Sequence, residues 1–440
     1  FHSMITRPEL PTTPGDRRRW SNLPGAAETH AIAEVASSHD GMILVIAADT
    51  LGAERLHDEL QFFLGSDTTI LHLPDWETLI YDAFSPHQDI ISERLDVLNQ
   101  LAVLESGIVV IPATTLSQRM APAQFILGSS LVLAKGQKFD IPQMRRRLQG
   151  AAYRSVETVY EHGEYAVRGA IMDIFPMGSD FPYRIDLFDD EIDTLRTFEP
   201  ETQRSVEQVD EISLLPAREF PLNSDAINQF KDQWFLRFQG DPRSCPVYRD
   251  VSQGLSPAGI EYYLPLFFEG LESLFDYLPD DTLVFCDDIE PKLEAYWQET
   301  EDRYENLRYD IQKPILPPRD ILMPLDELFA GLKQYPRVDF RATPQDKGRV
   351  FDYVFDYKLL QDLTINERSQ TPLDALKQFV DGSTDRLLIT TESNGRREVV
   401  DDLLARQGLS TKVVEDWQSF IEDDCELAIT VAPLDRPLAI

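Results

Sequence analysis

Positive charge is scarce in this chain. Its 440 residues hold 41 Lys and Arg against 76 Asp and Glu, a formal net charge of −35. Broad non-specific DNA binding needs a field of Lys and Arg that releases counterions, so the charge argues against that class. It leaves room for a protein that works beside nucleic acid without gripping it. Cysteine is also scarce: Cys245, Cys286 and Cys425 lie at least 40 residues apart. No CxxC spacing exists, which argues against a zinc knuckle or a thioredoxin-like site, and the odd count suits a reducing cytosol. All seven histidines fall within the first 162 residues, so no histidine-based site can be built from the later part alone. Apolar runs of about 18 residues and signal-peptide patterning are both missing, which predicts no membrane role and a cytoplasmic location. Phe1-His2-Ser3 ahead of Met4 reads as a tag scar, with Met4 as the natural start.

What is present is material for several cores. Hydrophobic residues make up 42% and aromatics 10%, and the length suggests two to four domains. Residues 4–24 read as a polar, proline-bearing lead-in, and a helix is predicted to begin near Ala31. Met42 to Ala47 and Ile108 to Ile111 are unbroken apolar runs, the pattern of strands buried on both faces. Leu56, Leu60, Phe63 and Leu64 mark a helix between them, and Ile90, Leu95, Leu98 and Leu101 mark another. Residues 70–88 read as an irregular aromatic loop. This alternation predicts an open parallel sheet. From about 131 to 216 the texture becomes short strands and turns, an α+β insert with antiparallel strands. Helices return near 217, Thr282 to Cys286 is a third buried strand, and residues 342–350 read as a linker. Arg386 to Thr390, the helix after it and Leu427 to Val431 form a smaller α/β unit.

A parallel sheet invites a search for a nucleotide site. A phosphate loop needs glycines for close approach, a Lys for the β- and γ-phosphates and a Ser or Thr for Mg²⁺. The candidate position, Gly25-Ala26-Ala27-Glu28-Thr29-His30, has one glycine, no lysine and a carboxylate where phosphate would sit. Asp287 and Asp288 follow the third strand, where a metal-binding carboxylate pair would stand, but such pairs are also common helix caps. The two remnants point to a sheet of ATPase type that has lost the chemistry. His162 sits in a turn and reads as structural. Segments 186–211 and 280–305 each carry ten acidic residues against two basic ones, a solvated face or, less commonly, a DNA mimic.

The most specific stretch runs from Glu161 to Pro176 and on from Pro182 to Asp193. In a strand, Arg184, Asp186 and Phe188 project from one face. They form either a recognition surface or a pairing of Arg184 with Asp186 inside the sheet with Phe188 over a local core.

Together with Asp75-Trp76-Glu77-Thr78-Leu79-Ile80-Tyr81-Asp82, Phe84 to Leu95, Leu215 to Pro221 and Gly259-Ile260-Glu261-Tyr262, that stretch resembles the N-terminal part of the bacterial transcription-repair coupling factors. The resemblance extends over nearly the whole chain. It implies an α/β fold: a degenerate parallel sheet like that of UvrB and helicases, split by an inserted α+β module and followed by a second small α/β domain. The implied domains are 4–130, the insert at 131–214, 215–345 completing the first sheet, and 350–440 as the small domain. It implies that the insert recruits UvrA to stalled RNA polymerase through Arg168, Arg184 and Phe188, without catalysis. Gly25, Glu28, Thr29, His30, Asp287 and Asp288 would be a degenerate nucleotide site with no cofactor. In the family, ATP, Mg²⁺, DNA and RNA polymerase belong to modules further along, and the protein's own C-terminal domain masks the UvrA surface. The alternative is an ATPase-like nucleotide- or DNA-binding domain in its own right.

Overall fold

The computed structural model describes residues 8–341, 351–358, 363, 373–382 and 385–439. In chain order, strands β1 (Arg17–Ser21), β2 (Met42–Ala47), β3 (Ile70–His72) and β4 (Gly107–Pro112) come with helices α1 (Ala27–Ala36), α2 (Thr50–Leu64) and α3 (Gln88–Leu101). The insert supplies β5 (Leu131–Ala134), β6 (Arg154–Ser155), β7 (Glu164–Arg168), β8 (Ile171–Ile174), β9 (Tyr183–Phe188), β10 (Glu191–Phe198), β11 (Ser205–Val209) and β12 (Glu211–Leu214). After it come β13 (Leu283–Cys286), β14 (Arg337–Arg341) and β15 (Phe351–Val354), then β16 (Leu387–Thr391), β17 (Lys412–Val413) and β18 (Leu427–Val431).

All six residues of β2 are buried, because it lies inside a seven-stranded parallel sheet of order β15-β1-β14-β13-β2-β4-β3. Successive strand residues point to opposite faces. Met42, Leu44 and Ile46 therefore join one core with Leu98 and Leu101 of α3, while Ile43 and Val45 join another with Ile32, Leu56 and Leu60 of α1 and α2. Gly52 N donates to Asp49 Oδ1 at 2.8 Å, which caps α2.

Four expectations change. The lead-in at 4–24 contains β1, which lies inside the sheet between β14 and β15. Its run of three arginines hid it from a reading by hydrophobicity. Asp339, buried on β14, pairs with Arg17 and, at 2.9 Å, with Arg337, which makes a charged strand tolerable there. The small domain's expected start at 350 falls ahead of β15, which pairs with β1, and Phe355 and Tyr357 belong to the first sheet's core. Residues 70–88 are not all loop, since β3 pairs with β4, and on α3 it is Ile91 rather than Ile90 that is buried. The linker at 342–350 lies outside the described residues.

The insert forms a six-stranded sheet of order β11-β10-β9-β8-β7-β6, with β5 and β12 paired separately. One face carries Tyr165, Met172, Ile174, Ile185, Ile192 and Leu195 into a core that also takes Ile91 and Leu95 of α3. So α3 serves two cores and fixes the insert to the parallel sheet. A buried ion pair strengthens that junction: Arg94 Nε donates to Glu219 Oε1 at 2.6 Å and Nη1 to the Pro74 carbonyl at 2.7 Å. His162 bridges Asp89 Oδ1 and the Ser179 carbonyl, both at 2.8 Å, a structural role. The small domain is a parallel sheet of order β16-β18-β17. Among the described residues no helix is long and apolar enough to cross a membrane.

Candidate functional site

The second face of the insert sheet carries a small buried apolar cluster of Val159, Ala166, Phe175 and Phe198 and, beside it, a charged group. Register places Asp173 of β8 opposite Arg184 of β9, and Arg168 of β7 opposite Ile171 of β8. Period-2 alternation then sets Arg168, Asp173 and Arg184 on one face, away from the Ile185 core. The two arginines converge on Asp173, a carboxylate only 1% exposed. Arg184 Nε and Nη2 reach it at 2.7 and 3.0 Å, and Arg168 Nη2 also pairs with it. The Arg184 guanidinium lies 4.8 Å from the Phe198 ring centroid, and its Nη1 reaches the Gln203 carbonyl at 3.3 Å. Hydrogen bonding to Asp173 pushes the Arg184 guanidinium above its usual range, against the opposing effect of burial.

Asp186, next along that face, does not pair with Arg184. It accepts from Arg196 Nη2 at 2.7 Å and from Thr194 Oγ1 at 2.9 Å. Three arginines thus share two aspartates, a net charge of +1 on a strongly acidic chain. Phe188 ends β9 and is 73% exposed, next to a turn where Asp189 has φ 56°. Four residues of strand separate it from Arg184, roughly 13 Å. The fold therefore joins Arg168 to Arg184 directly and sets Phe188 apart as a bare aromatic at the rim. Asp173, the residue that organises the group, was not singled out from sequence. The signal was an acidic residue inside the apolar run Ile171-Met172-Asp173-Ile174.

The second candidate lies at the C-terminal ends of β1, β2 and β13, where open parallel sheets bind ligands. Gly25 precedes α1 with φ 62°. Glu28 is half-buried, and its carboxyl is pushed up to about 7, first by burial, then by Asp287, against the lowering effect of Arg436 and Arg55. Thr29 and His30 turn into the core instead. Thr29 donates to Glu59, and His30 Nδ1 lies 2.9 Å from the Tyr357 hydroxyl. Asp287 N donates to the Ile46 carbonyl at 3.0 Å, and Asp288 pairs with Arg341 at 2.6 Å. So Gly25, Glu28 and Asp287 share the crevice, and Thr29, His30 and Asp288 are engaged elsewhere. The carboxyl groups of Glu28 and Asp287 stand where the phosphates of a nucleotide would lie in a phosphate loop, and the N–H of Ala26, the residue before α1, donates to the Pro437 carbonyl at 3.1 Å. Among the described residues no group of three or more His, Cys, Asp or Glu is placed to hold a metal ion.

A parallel sheet interrupted by a largely antiparallel insert is a mixed α/β architecture consistent with a UvrB-like domain. Residues 131–220 match the family described as UvrB interaction domain, and residues 379–440 match the MFD, D3 domain. The chain is 44% identical to the transcription-repair-coupling factor of Escherichia coli (strain K12) over 399 residues, covering 90% of this chain and 34% of the relative. It is 39% identical to that of Haemophilus influenzae over 437 residues, covering 99% of this chain and 38% of the relative. Against that of Bacillus subtilis the identity is 27% over 283 residues, covering 61% of this chain and 24% of the relative. The chain belongs to the transcription-repair coupling factor family and spans about a third of the length of the first two of these curated relatives.

Proposed function

We propose that this chain recruits UvrA in transcription-coupled nucleotide excision repair, by a non-catalytic docking surface on the outer face of the insert, in the cytoplasm. The observation that carries the reading is the pair of arginines ordered on one buried carboxylate. Each guanidinium has five N–H donors. Arg184 commits three and Arg168 one, which leaves donors on both, and the Arg168 side chain is 51% exposed. Pre-ordered forks lose little entropy when they meet carboxylates of a partner, and an exposed Phe at the rim of the same face suits an apolar pocket. A position for phosphate that is lined by Glu28 and Asp287 and met by a main-chain carbonyl supports a sheet without a working ATP site or cofactor. Engagement of RNA polymerase and DNA, ATP-driven translocation and masking of this face by a C-terminal domain belong, on this reading, to the length of the relatives beyond what this chain spans.

Hydroxyl-radical footprinting of the chain with saturating UvrA tests the location. Protection is expected at Phe188 and on the peptides covering β7, β8 and β9. Protection confined to the parallel sheet or the small domain would place the contact elsewhere.

A further inference from the structure

The crevice at the end of the parallel sheet holds a segment of the chain itself. Residues 434–438 leave the small domain after β18 and cross to α1 and α2. The Pro437 carbonyl accepts from Ala26 N at 3.1 Å, immediately before the first turn of α1. A side chain at Gly25 would be impossible there, since a Cβ would sit 1.9 Å from that carbonyl oxygen. The glycine that in a phosphate loop lets phosphate approach here lets a main-chain carbonyl approach. One residue earlier, Arg436 Nη2 and Nε reach Glu59 at 2.8 and 3.3 Å. Glu59 is fully buried on α2, and its other neighbours are the Thr29 hydroxyl and Arg55 at 4.0 Å. Leu434 and Leu438 pack against the core formed by α1, α2 and the sheet.

We propose that Leu434–Leu438 is a built-in ligand of this crevice, a strap that fills the place of a phosphate and holds the small domain on the parallel sheet. A neutral carbonyl is the acceptor that suits the spot, because Glu28, Asp287 and Glu59 would repel an anion. The guanidinium then supplies the positive charge that the buried Glu59 requires. The strap is tied at its start as well: Thr390 Oγ1 of β16 donates to the Leu434 carbonyl at 3.0 Å. A second contact lies beside it, where the Trp417 ring stands 5.1 Å from Phe63 and 5.7 Å from His30. Strap and Trp417 together join the small domain to α1 and α2. The inference is independent of the UvrA reading, since none of its residues lies on the insert.

Hydrogen exchange on the whole chain tests it. Arg436→Ala and Gly25→Ala each remove one end of the contact without touching the small-domain sheet. Both are expected to raise exchange about tenfold or more in the peptides covering 24–30 and 427–438, with β4 unchanged. Arg436→Ala also leaves buried Glu59 with only the Thr29 hydroxyl and the distant Arg55, and Gly25→Ala is strained at its positive φ, so Arg436→Ala combined with Glu59→Gln is the companion variant. It removes the under-compensated charge and is still expected to release 427–438. Wild-type exchange at 427–438 in all three variants would overturn the proposal. So would loosening of α2 alone that the companion variant repairs.

Discussion

Arg184→Ala is expected to weaken UvrA binding by about thirtyfold or more and to lower folding stability at the same time. The two losses have one origin. Arg184 gives Asp173 two of its hydrogen bonds, and Asp173 is 1% exposed. Without Arg184 that carboxylate keeps only Arg168, whose side chain is 51% exposed and more screened by water. The Phe198 ring also loses its guanidinium cover. A stability loss of about 2–3 kcal/mol follows, read as a lower urea midpoint. Arg184→Lys keeps the charge but not the planar fork, so it is expected to recover part of the stability and little of the affinity. An alanine variant that binds UvrA as wild type does would remove Arg184 from the docking surface.

Arg94→Met is expected to be the most destabilising single change at the junction, by about 3–5 kcal/mol. Arg94 is fully buried, and its partner Glu219 is 7% exposed, so removing the cation leaves a buried charge without compensation. The Pro74 carbonyl loses its donor, and Trp76 loses a guanidinium 5.4 Å from its ring. Adding Glu219→Leu is expected to restore most of the loss, because the penalty comes from the unpaired carboxylate rather than from the pair's absence. A loss below about 1 kcal/mol for Arg94→Met alone would show that water reaches the site and screens it. The consequence for function is one of orientation: this pair joins α3 to the segment that leaves the insert, so its loss frees the docking face from the sheet that positions it.

Much of the fold was legible because its central strands are apolar on both faces. Met42 to Ala47, Ile108 to Ile111 and Leu283 to Cys286 could be read as buried strands from composition alone. β1 could not, because the partner of its first arginine, Arg17, is Asp339, 322 residues away in the chain. The strap was hidden for the same reason, Glu59 and Arg436 lying 377 residues apart in the chain. The stretches that carried the family resemblance turn out to build the junction. Ser85 donates to Glu261 at 2.6 Å and accepts from Gly259 N at 3.0 Å, and Thr78 meets the Tyr262 hydroxyl at 2.9 Å. Gly259 has φ 75°, and a Cβ there would lie 2.9 Å from the Asp82 carbonyl oxygen. On the docking face, period-2 spacing placed Arg184, Asp186 and Phe188 together, but it could not say which acid each arginine meets. That depends on strand register, and register assigned Asp173 to Arg184 and Asp186 to Arg196.

The most direct test of the docking face is calorimetric titration of UvrA with Phe188→Ala beside wild type. Phe188 is 73% exposed at the end of β9, so its removal should leave the urea midpoint unchanged. The predicted result is an intact fold with affinity for UvrA reduced about thirtyfold or more. Equal affinity for the two proteins would contradict the assignment of this face.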